Sequence, residues 1–259
     1  MYAEYLNLAK ETAREAGMLL KEGFGTIFKI SNKDGKNNLV TEYDIKAEEL
    51  IINKIKAKYA DHGFLAEESG NSDTVGADFV WIIDPLDGTV NFSHNLPIFC
   101  VSIGLQHKGK IVCGCIYNPI LDEMYYAEIG KGAFVNDEKI SVSSNDDLST
   151  AFLVTGFPYN VNENPDNCIT HFEKMLKMGL PIRRLGSAAL DLCYVASGKF
   201  DGFWEVILHP WDVAAGKIIV EEAGGKLTHY DGSDYKVSTS SMVATNNKIH
   251  EDLLEAISS

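Results

Sequence analysis

The hexapeptide Asp84-Pro85-Leu86-Asp87-Gly88-Thr89 places two carboxylates three residues apart, with Gly and Thr directly behind them. Carboxylate and carbonyl oxygens are the ligands that hard divalent cations take, and backbone N–H groups beside a glycine stay open for an anion. The pattern is that of a metal-assisted phosphate site. Further acidic positions can join it: Glu67-Glu68-Ser69, Asp44 three residues after Thr41, and Asp212 after Trp211. Mg2+ is satisfied by a few carboxylates and several waters, so Glu67, Asp84, Asp87, Asp212 and the Leu86 carbonyl suffice for two ions roughly 3.5–4 Å apart. Such a pair can activate a water and stabilise the leaving oxygen of an in-line displacement.

Each window also has a purely structural reading. The two aspartates fit an acidic turn after a strand. Asp212 fits a helix start, where the dipole and free N–H groups favour an acid. Glu67-Glu68 fits a solvated acidic loop, and Asp44 completes a capping box with Thr41. On local evidence alone the helix-start reading wins for Asp212, a solvated loop is the commoner fate of a pair like Glu67-Glu68, and the remaining alternatives stay open.

The elements that must position these residues follow from hydrophobic period and breakers. The apolar run 79–83 predicts a buried strand ended by Pro85. Residues 64–66 predict a short strand delivering Glu67 and Glu68, before a polar loop over 70–78. Leu6, Ala9, Ala13, Ala16 and Leu20 lie on one stripe and predict an amphipathic helix over 2–24, ended by Gly23 and Gly25. The polar stretch 31–38, with Lys33, Asp34, Gly35 and Lys36, predicts a mobile loop able to act as a lid. Thr41 opens a second helix with Ala47, Leu50, Ile51 and Ile55 on its buried face. Runs over 99–105, 111–117 and 123–127, with hairpin signals at Lys108-Gly109 and Asn118-Pro119, predict an antiparallel meander continued through the glycine-rich turn 130–134. Strands and helices then alternate: strands over 151–155, 181–185, 202–206 and 242–245, helices over 168–178, 186–197, from His209-Pro210-Trp211-Asp212 to 222, and over 248–257.

With 23 Lys and Arg against 37 Asp and Glu, the formal charge of −14 repels nucleic acid and anionic membrane. No basic and apolar leader precedes the first helix and no apolar run approaches membrane-spanning length, so a cytoplasmic protein is expected. Cys100, Cys113, Cys115, Cys168 and Cys193 are odd in number and sit mostly in apolar runs, which predicts reduced, buried thiols. Cys113-x-Cys115 has no second pair to complete a zinc site. Arg183-Arg184 fits a substrate or interface contact, with surface ion pairing as the default reading.

Asp84-Pro-Leu-Asp-Gly-Thr89 after Trp81-Ile-Ile, Glu67-Glu68-Ser69, Trp211-Asp212-x-Ala-Ala-Gly, Leu39-Val40-Thr41-x-x-Asp44 and Gly186-Ser187-Ala188-Ala189 occur together and in order. The chain thereby resembles, end to end, the inositol monophosphatase family of Mg2+-dependent, lithium-sensitive phosphatases. The resemblance implies two to three Mg2+ per subunit: Glu67, Asp84 and the Leu86 carbonyl on a first ion, Asp84, Asp87 and Asp212 on a second, and Glu67 on a third, mostly hydrated one. It implies that Asp44 and Thr89 orient the attacking water, with Glu68 supporting them. The N–H groups of Gly88 and Thr89 would grip phosphate, agreeing with the physical expectation for helix starts. Gly186, Ser187, Ala188 and Glu205 would contact the polyol, with Asp87 and Asp212 also facing the substrate. Lys33 falls at the family's loop lysine.

The expected fold is the α/β (α+β) layered α-β-α-β-α sandwich of the inositol monophosphatase and fructose-1,6-bisphosphatase type, and the resemblance suggests a homodimer. Residues 1–259 form one catalytic unit, with a metal-binding α+β half over 1–146 and an α/β half over 147–259. The expected function is hydrolysis of inositol monophosphate to inositol and phosphate by metal-activated water. A carboxylate cage reads phosphate and not the alcohol, so NADP(H) and fructose 1,6-bisphosphate are the alternative substrates. A regulatory interaction protein retaining the fold is the alternative from another class.

Overall fold

The computed structural model describes residues 1–33, 38–72, 74–238 and 240–258. Helix α1 (Ala3–Gly23) follows the predicted stripe, burying Leu6, Ala9, Ala13, Ala16 and Leu20. The stretch expected as a loop over 31–38 is partly strand. β1 (Ile30–Asn32) and β2 (Leu39–Thr41) form an antiparallel ribbon, while Asp34, Gly35 and Lys36 fall outside the described residues. Helix α2 (Glu42–Lys58) starts on Thr41 through a capping box with Asp44.

β3 (Gly63–Ala66) pairs with β4 (Gly70–Ser72), which sits inside the expected polar loop. Three polar residues carry no strand signal of their own; the partner strand makes them one. β3 also runs parallel to β5 (Phe79–Asp87). Pro85 does not end β5 as expected. The register against the next strand slips between Asp84 and Asp87, a bulge-like irregularity where a proline without an N–H is tolerated. Short helix α3 (Thr89–Ser93) follows, and the meander continues through β6 (Cys100–His107), β7 (Lys110–Asn118), β8 (Glu123–Glu128), β9 (Gly132–Val135) and β10 (Glu138–Ile140). The resulting 8-stranded sheet has the order β10-β9-β8-β7-β6-β5-β3-β4. Lys108 and Gly109 both take positive φ, as a tight hairpin requires.

The second half builds a 5-stranded sheet, β12-β11-β13-β15-β14, from β11 (Leu153–Thr155), β12 (Ile182–Arg183), β13 (Gly202–Leu208), β14 (Lys226–Thr228) and β15 (Ser240–Thr245). Its helices are α4 (Cys168–Lys177), α5 (Ala188–Ala196), α6 (Pro210–Glu222) and α7 (His250–Ser258). Packing gives the expected α-β-α-β-α order. α1 and α2 cover one face of the larger sheet; α5 and α6 fill the space between the sheets; α4 and α7 pack with β15 and Leu153 on the far side. Mixed helices and sheets thus form the layered sandwich.

Trp81 anchors β5, fully buried, with its indole N–H donating to His62 Nδ1 at 3.0 Å. Burial of each such large side chain contributes about 1.5–3 kcal/mol, which holds the strand that carries Asp84 and Asp87 against thermal displacement. All five cysteines are buried free thiols, as their apolar context predicted. The Arg183 and Arg184 guanidinium carbons lie 5.0 Å and 5.7 Å from the Phe152 and Phe157 ring centroids, and the Arg184 charge also acts on the carboxyls of buried Asp191 and of Glu205. No helix among the described residues is long and apolar enough to cross a membrane.

Candidate active site

Asp44 is fully buried in the first turn of α2, and both its carboxylate oxygens are occupied. Oδ2 accepts the Thr41 amide at 2.8 Å and the Thr41 hydroxyl at 2.5 Å, the capping box seen in the sequence. Oδ1 faces the Thr89 hydroxyl at 2.9 Å, and that hydroxyl also lies 3.0 Å from the Leu86 carbonyl oxygen. The capping reading of Asp44 therefore holds on Oδ2, while Oδ1 meets the hydroxyl of a residue 45 positions away. Burial raises its carboxyl to about 6, against the hydrogen bonds from Thr41 and Thr89.

Gly88 turns the chain from β5 into α3 with φ of +94°, and a Cβ there would stand 2.8 Å from the Ile98 carbonyl oxygen. Only glycine fits this corner. On the β5 side of it, Asp84 is 2% exposed, with Oδ1 accepting the Leu86 amide at 3.0 Å. Asp87 reaches the second half of the chain: its Oδ2 accepts the Ser187 hydroxyl at 2.6 Å and the Ala189 amide at 2.8 Å, so it sits on the start of α5. Asp212 is the third residue of α6, with Oδ2 accepting the His209 amide at 2.6 Å. The helix-start reading of Asp212 holds.

Burial raises the carboxyls of Asp84 and Asp212, and the charges of Glu67 and Asp87 raise both further. Burial likewise lifts Asp87 to about 6 against the bonds from Ser187 and Ala189. The fold thus brings Asp84, Asp87 and Asp212 within one another's field and that of Glu67. Among the described residues no three His, Cys, Asp or Glu side chains already converge as a ready-made ion cage. Each of these carboxylates accepts from a protein donor: Glu67 from Lys33, Asp84 from the Leu86 amide, Asp87 from Ser187 and Asp212 from the His209 amide.

Lys33 supplies the local positive charge. Its Nζ lies 2.8 Å from Glu67 Oε1 and 2.5 Å from Glu68 Oε1. Burial works to lower the Lys33 pKa, but the charges of Glu67 and Glu68 overcome it and raise it. Glu68 is lifted to about 7, by burial before any other cause. The Glu67-Glu68-Ser69 turn is therefore not a solvated loop.

Two residues that bind the site together escaped the sequence analysis. Glu48 is 4% exposed and accepts the Glu68 and Ser69 amides, each at 2.8 Å, fixing the acidic turn to α2. Its four-residue spacing from Asp44 on one helix face was the available signal. Asn91 is within 2.7 Å of the Ile98 carbonyl and 2.8 Å of the Leu185 carbonyl, joining α3 to the turn at Gly186. No local pattern announces that contact. Gly186 precedes the Ser187 N-cap of α5, Ala188 begins that helix, and Glu205 lies half-buried on β13.

A buried donor set rich in carboxylate oxygens fits a hard divalent cation. Cations held on such oxygens can neutralise the charge of a phosphate ester.

The sequence pattern of the Inositol monophosphatase family matches residues 1–259. The chain is 43% identical over 253 residues to "Inositol-1-monophosphatase" of Synechocystis sp., covering 98% of this chain and 88% of that protein. It is 39% identical over 258 residues to "Nus factor SuhB" of Pseudomonas aeruginosa, covering 97% of this chain and 95% of that one. Among solved structures, inositol monophosphatase from Anabaena (Nostoc) sp. PCC 7120 superposes with a TM-score of 0.90 at 41% identity, covering 99% of this chain and 96% of that one. The chain belongs to the inositol monophosphatase family, a family of phosphatases.

Proposed function

We propose that this phosphatase hydrolyses inositol monophosphate to inositol and phosphate in a Mg2+-dependent, lithium-sensitive reaction, as a cytoplasmic homodimer. The observation that carries the reading is the Thr89 hydroxyl set between Asp44 Oδ1 and the Leu86 carbonyl, at the mouth of the turn that bears Asp84 and Asp87. Glu67, Asp84, Asp87, Asp212 and the Leu86 carbonyl would hold two to three cations. When bound, these supply Lewis-acid neutralisation of phosphoryl charge and lower the pKa of water.

The chain's own residues do the rest. The Thr89 hydroxyl orients the attacking water by accepting its proton-bearing bond while donating to Asp44, and Asp44 Oδ1 is the terminal proton acceptor. Burial raises its carboxyl, which favours proton uptake by a general base. Water attacks phosphorus in line as its proton passes to Asp44, the P–O bond to the polyol breaks, the departing oxygen takes a proton from solvent water, and the amides of Gly88 and Thr89 steady the phosphoryl oxygens. Glu205 with the Gly186-Ser187-Ala188 turn faces the polyol. Glu68 carries the hydrogen-bonded link to Lys33.

Phosphate release from inositol 1-phosphate, NADP and fructose 1,6-bisphosphate, each with Mg2+ and with chelator, tests the reading. Fastest Mg2+-dependent release from inositol 1-phosphate is expected; a faster rate on either competitor reassigns the substrate. A relative named "Nus factor SuhB" at 39% identity favours a protein-binding role as a second reading. Retained partner capture by an inactive Asp87→Asn protein would support it.

A further inference from the structure

The Glu205 carboxylate stands where a side chain at position 156 would be. A Cβ built on Gly156 would lie 2.0 Å from Glu205 Oε2, 2.2 Å from its Cδ and 2.3 Å from its Oε1. Contacts under 3.0 Å are not sustained by real Cβ atoms, so a side chain at 156 would push the Glu205 carboxylate, the free end of a flexible side chain, out of this position.

The topology forces this proximity. β11 runs parallel to β13 with Thr155 opposite Trp204, and the Thr155 hydroxyl donates to the Trp204 carbonyl at 2.6 Å. The next residue on each strand is Gly156 and Glu205. Just beyond, the β13–β15 register shifts between Glu205 and Leu208, and Ile207 takes φ of +57°. A β-branched residue in the left-handed region is strained by about 1–3 kcal/mol, and such strain concentrates at functional sites. Here it bends the strand that carries Glu205 into the His209–Asp212 corner. Among the described residues no hydrogen bond from a protein donor ends on the Glu205 carboxylate. Its acceptor oxygens are open to a hydroxylated ligand.

We propose that Gly156 is a specificity-determining residue: its missing side chain lets the Glu205 carboxylate take the position from which it accepts hydrogen bonds from the hydroxyls of a polyol phosphate. The inference rests on the reading of the substrate given above. An alanine at 156 displaces the carboxylate by at least the overlap, while the Thr89–Asp44 pair and the carboxylates around Asp84 keep their own contacts. A hydrogen-bonding site that loses its partner discriminates poorly against substrates without hydroxyls.

The test compares wild type, Gly156→Ala, Glu205→Ala and the double variant on inositol 1-phosphate and p-nitrophenyl phosphate, with thermal melts alongside. In Gly156→Ala the ratio of kcat/KM for the two substrates should fall about tenfold or more, through KM for inositol 1-phosphate. The double variant should match Glu205→Ala, because removing the glutamate makes room for the methyl group. Unchanged selectivity in a folded Gly156→Ala protein, or equal losses on both substrates, would overturn the inference alone. If Gly156→Ala fails to fold, recovery in the double variant supports the contact and continued failure overturns it. A wild type inactive on inositol 1-phosphate would overturn the substrate reading and this inference with it.

Discussion

The Thr89 hydroxyl and Asp44 Oδ1 lie 2.9 Å apart although 45 residues of chain separate them. One belongs to the helix start after β5, the other to the first turn of α2. Replacing Thr89 by Ala or Asp44 by Asn should lower kcat by about 10²–10⁴, the range for a positioned acid–base group. Thr89→Ser, which keeps the hydroxyl, should recover most of it. Steady-state kinetics at saturating Mg2+ check this, and Mg2+ affinity measured by calorimetry should change little in Thr89→Ala.

Ser187 donates to Asp87 at 2.6 Å, across the joint between the two sheets. Losing a hydrogen bond that orients a ligating carboxylate typically weakens metal binding 10–100-fold. Ser187→Ala should show about that loss by titration calorimetry with Mg2+, and Ser187→Thr should not.

Lys33 places its ammonium on Glu67 and Glu68 and so competes for the same oxygens as a cation. Lys33→Gln removes that charge. Its affinity for Mg2+ should rise several-fold, an effect that shrinks at high ionic strength. Calorimetric titrations at low and high salt would show it, and a weaker affinity in the variant would contradict it.

His250 is 1% exposed, with its ring nitrogens 3.0 Å from the Thr228 hydroxyl and 2.9 Å from the Thr245 hydroxyl. Burial, with the Lys226 charge, lowers its pKa from 6.5 to about 4. The folded pKa lies below the unfolded one, so the neutral ring contributes stability present above pH 6.5 and lost as pH falls toward 4. Allowing for partial solvent screening, that loss is about 2 kcal/mol. Denaturant unfolding at pH 7 and pH 4.5 should show a smaller drop for His250→Asn than for wild type, from a lower starting stability.

Local sequence was enough for everything that a few adjacent residues decide. The stripe of Leu6, Ala9, Ala13, Ala16 and Leu20 specified α1, Thr41 with Asp44 specified the start of α2, and the apolar run into Asp84-Pro-Leu-Asp-Gly-Thr89 specified a strand ending in acids. Period, caps and breakers act within one or two turns, and that range is readable. Tertiary structure decided what distant segments do to one another. It made a strand of Gly70–Ser72 by pairing it with β3, carried β5 through Pro85 at a register shift, and set Asp87 on the start of α5. It also put Lys33 between Glu67 and Glu68, anchored their turn on Glu48, and left only a hydrogen's room at Gly156 beside Glu205. These contacts depend on which strands lie side by side, and strand order is set by burial across the whole chain, not by any window within it.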